Sequence, residues 1–246
     1  MQRTAPRLTR ILACAAVPVM LVVAGCSSDS GDSGGAGSTG SKDKGAASAT
    51  ATPTPSQTTK TVEPAKFTEL PQACKAITAK TVAALVPKAK TKGGTPAPSS
   101  DLTSRSGCSW NGLDDKGVKG SQYRWLDVSF YRYESDASLG SGQERAQENF
   151  TKELGKVQRT EGAKKLRTAP APGVGEEAQA VTYQLRKTNE DFVYTSVVAR
   201  TGNVLVLLSY NGAGYAGAAT PSEASIIKGA TTAAKEAVAA VVAANK

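Results

Sequence analysis

The sequence has no histidine among its 246 residues, and this absence narrows the chemistry that the protein can perform. Without an imidazole there is no Ser-His-Asp or Cys-His catalytic arrangement, and the commonest zinc ligand is missing. The carboxylate pairs Asp114-Asp115 and Glu176-Glu177 are adjacent in sequence, so on a strand the two members of a pair point to opposite faces. The spacing of a calcium-binding loop is also absent. We therefore expect no catalytic residues, no metal site, no cofactor and no enzymatic activity.

Blocks of charge of one sign are lacking too. The formal net charge is +9, but lysines, arginines and acids are interspersed, and no basic stripe runs along the chain. The sequence therefore lacks the electrostatic footprint of a nucleic-acid-binding protein, although attraction to an anionic surface stays open.

The apolar stretch at residues 11–23 is shorter than the about 20 residues that cross a bilayer as a helix. It follows a basic segment that carries Arg3, Arg7 and Arg10. A basic segment followed by a short apolar one is typical of a signal peptide, which we place at residues 1–25.

The end of that stretch, Leu21-Val22-Val23-Ala24-Gly25-Cys26, resembles the lipobox of bacterial lipoproteins. The resemblance implies that Cys26 becomes the new N-terminus and carries diacylglycerol and palmitate. The protein would then be lipid-anchored in the cell membrane, on its extracytoplasmic face. The alternative is an ordinary cleaved signal peptide, for which an Ala-x-Ala site would be expected.

Residues 26–66 consist mainly of Ser, Gly, Thr, Ala and Pro and hold almost no apolar bulk. Such a segment cannot offset the entropy cost of ordering itself, so we predict a disordered tether. Its Ser and Thr density leaves O-glycosylation open. Residues 67–246 then form a single globular domain.

Two of the four cysteines, Cys74 and Cys108, fall in that domain, whereas Cys14 leaves with the signal peptide and Cys26 is the lipid site. In an exported domain oxidation is the default, so we predict a disulfide between Cys74 and Cys108. Two buried free thiols are the alternative.

Helix signals occur at both ends and in the middle of the domain. Thr78 can cap a helix that Pro87 ends, just after a short helical turn at residues 70–77. Ser141-Gly142-Gln143-Glu144 is a capping box, and Gly155 can end the helix that follows it. A second capping box, Thr220-Pro221-Ser222-Glu223, opens a helix to about Ala244, with Pro221 at its first position.

The clearest strand runs from Tyr123 to Tyr133, where apolar residues alternate with polar and aromatic ones. Further strands are predicted from Cys108 onward and at residues 178–185, 192–199 and 204–210, the last two joined by a tight turn at Thr201-Gly202-Asn203. The strand at 204–210 is almost wholly apolar and should be central. The pattern predicts an α+β domain with an antiparallel sheet of about five strands packed against two or three helices.

Three segments together resemble a known family. They are Ala73-Cys74-Lys75-Ala76-Ile77-Thr78, Cys108-Ser109-Trp110 and Pro172-Gly173-Val174-Gly175-Glu176-Glu177-Ala178. They are similar to those of a family of actinobacterial envelope lipoproteins catalogued as a domain of unknown function of the 3558 type, over about residues 68–243. The resemblance implies an envelope lipoprotein with a disulfide, and it implies no catalytic residues.

Gly212-Ala213-Gly214-Tyr215-Ala216-Gly217 matches the dinucleotide-binding pattern G-x-G-x-x-G after an apolar strand. The pattern needs a helix that begins within the glycines, whereas here the next helix begins at Thr220-Pro221. We therefore interpret this segment as a loop between a strand and a helix.

The strand at 123–133 should place Trp125, Tyr131 and Tyr133 on the face opposite Leu126, Val128 and Phe130. Trp and Tyr are favoured anchors in binding sites, so this aromatic face is the candidate binding surface. The alternative is that a helix or loop buries it as a second core.

We expect a non-enzymatic envelope lipoprotein that binds an unknown envelope protein or small ligand. A structural or assembly factor of the envelope is the second hypothesis, and an unrecognised hydrolase is the least favoured.

Overall fold

The computed structural model describes residues 61–246; the predicted signal peptide, Cys26 and most of the predicted tether lie outside the described residues. In the described part, three α-helices accompany one antiparallel sheet of seven strands, so the domain is α+β as predicted. The strands are β1 (Thr95–Pro96), β2 (Arg105–Asp114), β3 (Ser121–Arg132), β4 (Lys164–Pro170), β5 (Glu177–Lys187), β6 (Glu190–Thr201) and β7 (Val204–Tyr215). The helices are α1 (Ala79–Leu85), α2 (Gly142–Gln158) and α3 (Glu223–Ala244), with short 3-10 turns at Ala73–Lys75 and Gly117–Lys119.

The strand order is β1-β2-β3-β7-β6-β5-β4. β2 and β3 form one hairpin, β4 to β7 form a meander, and α2 connects the two groups so that β3 pairs with β7. The predicted central strand, β7, is indeed central. Its residues Val204, Leu205 and Val206 are fully buried although they alternate between the two faces of the sheet, which explains the continuous apolar run.

The prediction of about five strands was wrong because β1 and β4 were missed. β1 is two residues long and sits inside a largely exposed segment. β4 is an edge strand in which every residue except Leu166 is exposed, so its sequence shows no alternation of apolar and polar positions. Edge strands of this kind carry charged residues such as Lys164 and Arg167.

The helix starts follow side-chain capping. The Thr78 hydroxyl accepts a hydrogen bond from the Thr81 N–H at 3.2 Å, and Ser141 and Glu144 form the predicted reciprocal capping box. The second capping box was wrong: Ser222 caps α3 by accepting from the Ser225 N–H, and Pro221 lies before the cap rather than in the first turn.

The predicted end of α2 at Gly155 was also wrong, since the helix continues to Gln158. Gly155 does not adopt the left-handed conformation that ends helices, and the extra turn lets Val157 pack beside Leu154 on the sheet.

One face of the sheet, here called the core face, carries the main hydrophobic core. Leu126, Val128 and Phe130 of β3 are at most 1% exposed on this face, as the alternation predicts. α1 and α3 pack over it, and α3 contributes a stripe of buried alanines that allows close approach to β6 and β7.

Two connections hold the start of the domain. The structure pairs Cys74 with Cys108, as predicted, with their Cα atoms 5.1 Å apart, and so links the first 3-10 turn to β2. The fully buried Asn203 accepts from the Phe67 N–H at 2.7 Å and donates to the Phe67 carbonyl at 2.9 Å. Among residues 61–246, no helix is long and apolar enough to cross a membrane.

Candidate binding groove

The opposite side of the sheet, here called the second face, is covered over only part of its area. α2 packs on it with Phe150, which joins Val198 of β6 and Leu205 of β7 in a separate buried cluster. Tyr131, Tyr133, Leu154, Val157 and Leu207 pack around that cluster. The rest of the second face, toward the other end of the same strands, is not covered by α2 and forms a groove.

The border between the covered and the open part is a polar row that runs straight across the sheet. Ser109, Asp127, Ser209 and Ser196 are consecutive partners on β2, β3, β7 and β6. None of the neighbours of Asp127 in this row carries a charge.

The next row on the second face combines amides with aromatic rings. Its members, again paired from strand to strand, are Asn111, Trp125, Asn211, Tyr194 and Tyr183. Trp125 therefore lies directly opposite Asn211, and Asn211 lies directly opposite Tyr194. Beyond this row stand Tyr123, Phe192 and Tyr215, which complete the aromatic end of the face.

Most of these rings hold one another in place. The buried Phe192 contacts Tyr123 and Tyr215 edge-on, with centroids 5.9 and 6.3 Å apart. Tyr194 stacks on Tyr183 at 5.1 Å, and the Lys187 ammonium lies 5.2 Å from the Tyr194 ring centre. Within the described residues, no other ring stacks on Trp125, so its indole is the ring available to a ligand.

Together these side chains line an open, shallow groove with a volume of about 530 Å³, a size suited to a small molecule. We call it the aromatic groove; it is lined by Tyr123, Trp125, Lys187, Thr188, Phe192, Tyr194, Ser209, Asn211 and Tyr215. A smaller and more apolar hollow of about 380 Å³ adjoins it, sharing Tyr123 and Tyr215 and adding Lys90, Leu113 and Ser121.

Asn211 is the most informative residue of the groove. It is 5% exposed, it lines the cavity, and its side-chain amide has no hydrogen-bond partner among residues 61–246. The amide nitrogen and oxygen are not themselves enclosed: they open onto the groove, where solvent satisfies them when no ligand is present. The amide is thus placed to bind something that enters the groove.

Asp127 lies beside the groove at the level of Ser209. Burial raises the pKa of its carboxyl to about 6, and a hydrogen bond from the Trp125 side chain opposes that rise in pKa. Burial likewise raises the pKa of the Tyr123 phenol, and a hydrogen bond with Asn111 opposes that rise in pKa.

The structure separates the aromatic residues that the sequence grouped as one binding face. Trp125 lines the groove, whereas Tyr131 and Tyr133 pack against the cluster under α2. Each of those tyrosines also has an arginine over its ring, Arg105 at 5.7 Å and Arg145 at 5.9 Å. The part of the face near Tyr131 and Tyr133 is therefore a second core, and the candidate surface shrinks to the part around Trp125.

Several groove residues were missed by sequence reasoning, namely Asn211, Ser209, Phe192, Tyr194 and Tyr215. One signal was present: the tight turn at Gly202 and Asn203 fixes the β6–β7 register and so places Tyr194 opposite Asn211. The contribution of β3 could not be found this way, since β3 and β7 are far apart in sequence.

The glycine-rich segment at 212–217 does not bind a dinucleotide phosphate in the manner of the pattern it matches. Gly212 and Gly214 belong to strand β7 rather than to the predicted loop, and α3 begins only at Glu223. A Cβ atom on Gly214 would lie 2.2 Å from the Ala218 carbonyl oxygen, so close backbone packing explains this glycine.

A polar cleft of about 420 Å³ lies at the other end of β2 and β3, lined by residues between 97 and 107 and by 129–131, so Tyr131 borders this cleft as well as the cluster under α2. Its carboxylate, Asp101, accepts hydrogen bonds from Thr103 and Ser104 of the same turn, which hold its pKa near 2. The polar groups of that cleft stabilise the turn itself. Over residues 61–246 no group of three Cys, Asp or Glu side chains is placed to hold a metal ion.

No family model matches the sequence, and no curated protein matches it either. Among solved structures, LpqN, described as involved in cell envelope biogenesis of Mycobacterium tuberculosis, is similar with a TM-score of 0.31. The two are 12% identical, over 58% of this chain and 82% of LpqN. The resemblance to the actinobacterial lipoprotein family stays an expectation from the short sequence segments.

Proposed function

We propose that the protein is a non-enzymatic lipoprotein of the cell envelope whose folded domain binds a small ligand in the aromatic groove. Lipid on Cys26 would anchor it to the extracytoplasmic face of the cell membrane, and the segment before residue 67 would act as the tether. The observation that carries the binding role is the Asn211 amide, which has no partner among residues 61–246 and opens onto the groove directly opposite Trp125.

A small ligand fits the groove better than a protein partner does. Protein partners favour broad apolar patches, whereas this groove is small and mixes rings with hydroxyl, amide and ammonium groups. Of the exposed large apolar residues in the described chain, Leu113 alone lines the hollow beside the groove, whereas Val118 and Leu139 line neither of the two.

A hydrolase is disfavoured by the same rows of side chains. Hydrolysis by carboxylates requires an acid and a second carboxylate a short distance apart. The polar row offers Asp127 alone, with serines as its partners on both neighbouring strands.

Native mass spectrometry of the full-length protein, isolated from its own envelope in detergent, tests the proposal. We expect a bound small molecule that is absent from the Trp125→Ala protein and retained by the Val118→Ala protein, since Val118 is 97% exposed. If no small molecule accompanies the parent protein, or if Trp125→Ala retains it unchanged, a factor that acts by position alone becomes the better explanation.

A further inference from the structure

We propose that the ligand of the aromatic groove is a carbohydrate, with one sugar ring stacked on Trp125 and its hydroxyl groups hydrogen-bonded to Asn211, Ser209 and Asp127. This inference rests on the proposed function, because it names the ligand class for that same groove.

The first reason is the indole of Trp125. Among the described residues no other ring stacks on it. A pyranose ring presents C–H bonds on its flat face, and these pack well on the electron-rich face of an aromatic ring.

The second reason is the polar border of that ring. Residues paired across neighbouring strands lie about 5 Å apart, and residues two apart on one strand lie about 7 Å apart. Asn211 is paired with Trp125, and Ser209 and Asp127 are each one row away. Amide, hydroxyl and carboxylate groups thus border the stacking surface on two sides, where the hydroxyl groups of a stacked sugar would project.

The third reason is the match between these groups and hydroxyl groups. A hydroxyl group both donates and accepts, so it can satisfy the carbonyl and the NH₂ of an amide as well as a carboxylate. The Asn211 amide, which opens onto the groove, lacks both kinds of partner within residues 61–246, and a sugar supplies both from adjacent carbons.

Two other ligand classes satisfy the groove less well. An acyl chain would cover Asn211 without pairing its amide, which disfavours binding. An organic cation would meet two ammonium groups against one carboxylate, because Lys187 lies over the Tyr194 ring and Lys90 lines the adjoining hollow, whereas Asp127 is the single acid beside the groove.

Tryptophan fluorescence of the full-length protein, held in a detergent without a sugar head group, provides the test. The two tryptophans differ usefully, since Trp110 is 2% exposed on the core face and Trp125 lines the groove. Oligosaccharides built from glucose, mannose, galactose, arabinose or N-acetylglucosamine are titrated, with palmitate and choline as non-sugar probes.

We expect at least one saccharide to change the fluorescence saturably, and Asn211→Ala to weaken that binding at least tenfold. Because Trp125→Ala removes the fluorescent reporter, saccharide binding to this variant is measured by isothermal titration calorimetry. We expect its affinity to fall at least tenfold, and the affinity of Trp125→Phe to fall by less. Val118→Ala should bind like the parent. Thermal melts confirm that each variant is folded, and Asn211→Ser replaces Asn211→Ala if the latter is not.

The possible failures are distinguishable. One outcome is that palmitate or choline binds, that no saccharide binds, and that Trp125→Ala abolishes the binding. This outcome overturns the carbohydrate inference but leaves the groove as a binding site. Saccharide binding that survives both Trp125→Ala and Asn211→Ala also overturns it, since the sugar site then lies elsewhere. If no probe binds and no small molecule accompanies the protein from its envelope, both the inference and the proposed function fail.

Discussion

Trp125 and Asn211 are direct partners across the β3–β7 pair, and both side chains lie on the face of the sheet that α2 leaves open. One supplies a flat aromatic surface, and the other supplies an amide that opens onto the groove and has no partner in the described chain. The two come from strands separated by α2 and the whole β4–β6 meander, so their juxtaposition is a product of the sheet order. It is the feature that distinguishes a binding groove from a second core at this position.

The first prediction compares Trp125→Ala with Val128→Ala, three residues further on the same strand. Trp125 is partly exposed at the groove and belongs to no buried cluster, so its truncation should lower the free energy of unfolding by only about 1 kcal/mol. Val128 is 1% exposed on the core face, so its truncation should cost about 2–3 kcal/mol. Urea melts of the full chain measure both. A loss of about 3–5 kcal/mol for Trp125→Ala would show that its ring belongs to a core.

The second prediction concerns pH and Asp127. Its pKa in the fold is about 6, above the ordinary value of 3.8, so the native state binds the proton more tightly than the unfolded chain does. The charged carboxylate therefore destabilises the fold above pH 6, and this cost fades as the pH falls from 6 toward 3.8.

Asp127→Asn keeps an acceptor for the Trp125 indole and removes the charge. It should raise the free energy of unfolding by about 1–2 kcal/mol above pH 6, with the gain vanishing near pH 4. Melts at closely spaced pH values supply the measurement. A gain that is the same at every pH would mean that Asp127 titrates normally, and a loss above pH 6 would mean that a cation pairs with it.

Much of this fold could be predicted from the sequence, for physical reasons that differ between elements. The alternation in β3 identified Leu126 and Val128 as core residues, because burial on one face forces a period of two. Capping by Thr78 and Ser141 was visible because the hydrogen bonds involved are local. Edge strand β4 was invisible, since exposure on both faces leaves no pattern.

The groove was predictable only in part. The alternation in β3 was enough to identify Trp125. It could not separate Trp125 from Tyr131 and Tyr133, because aromatic residues occur both in the open part of the second face and in the part under α2. Which tyrosines are covered depends on where α2 crosses the sheet. Asn211 gave no signal of its own, since its significance comes from burial beside partners that are distant in the chain.

The third prediction concerns the Cys74–Cys108 disulfide, which closes a loop with a sequence separation of 34 residues. In the chain-entropy view such a loop contributes about 4 kcal/mol, so Cys74→Ser combined with Cys108→Ser should lower the thermal midpoint by about 5–15 °C. Differential scanning calorimetry measures the shift. Two thiols that react with an alkylating reagent in the native exported protein would contradict the pairing.

The fourth prediction concerns Cys26, which lies outside the described residues. If it is the lipid site, Cys26→Ala should leave the precursor unprocessed or release the protein from the membrane fraction. The reason is that acyl chains contribute about 0.8 kcal/mol of membrane affinity per buried CH₂. Cell fractionation and immunoblotting follow the protein. A Cys26→Ala protein that is processed and membrane-bound like the parent would refute lipidation.

Oxidative footprinting of the two tryptophans tests the central claim, that the aromatic groove holds a ligand in the envelope, without knowledge of the ligand. The full-length protein is oxidised once in intact cells of its own source and once after purification from a foreign host, and mass spectrometry quantifies oxidation at each tryptophan. Trp110, which is 2% exposed, serves as the internal control and should be protected in both samples. We predict that Trp125 is oxidised in the purified protein and protected at least severalfold in the intact envelope. Equal oxidation of Trp125 in the two samples would contradict a ligand in the groove.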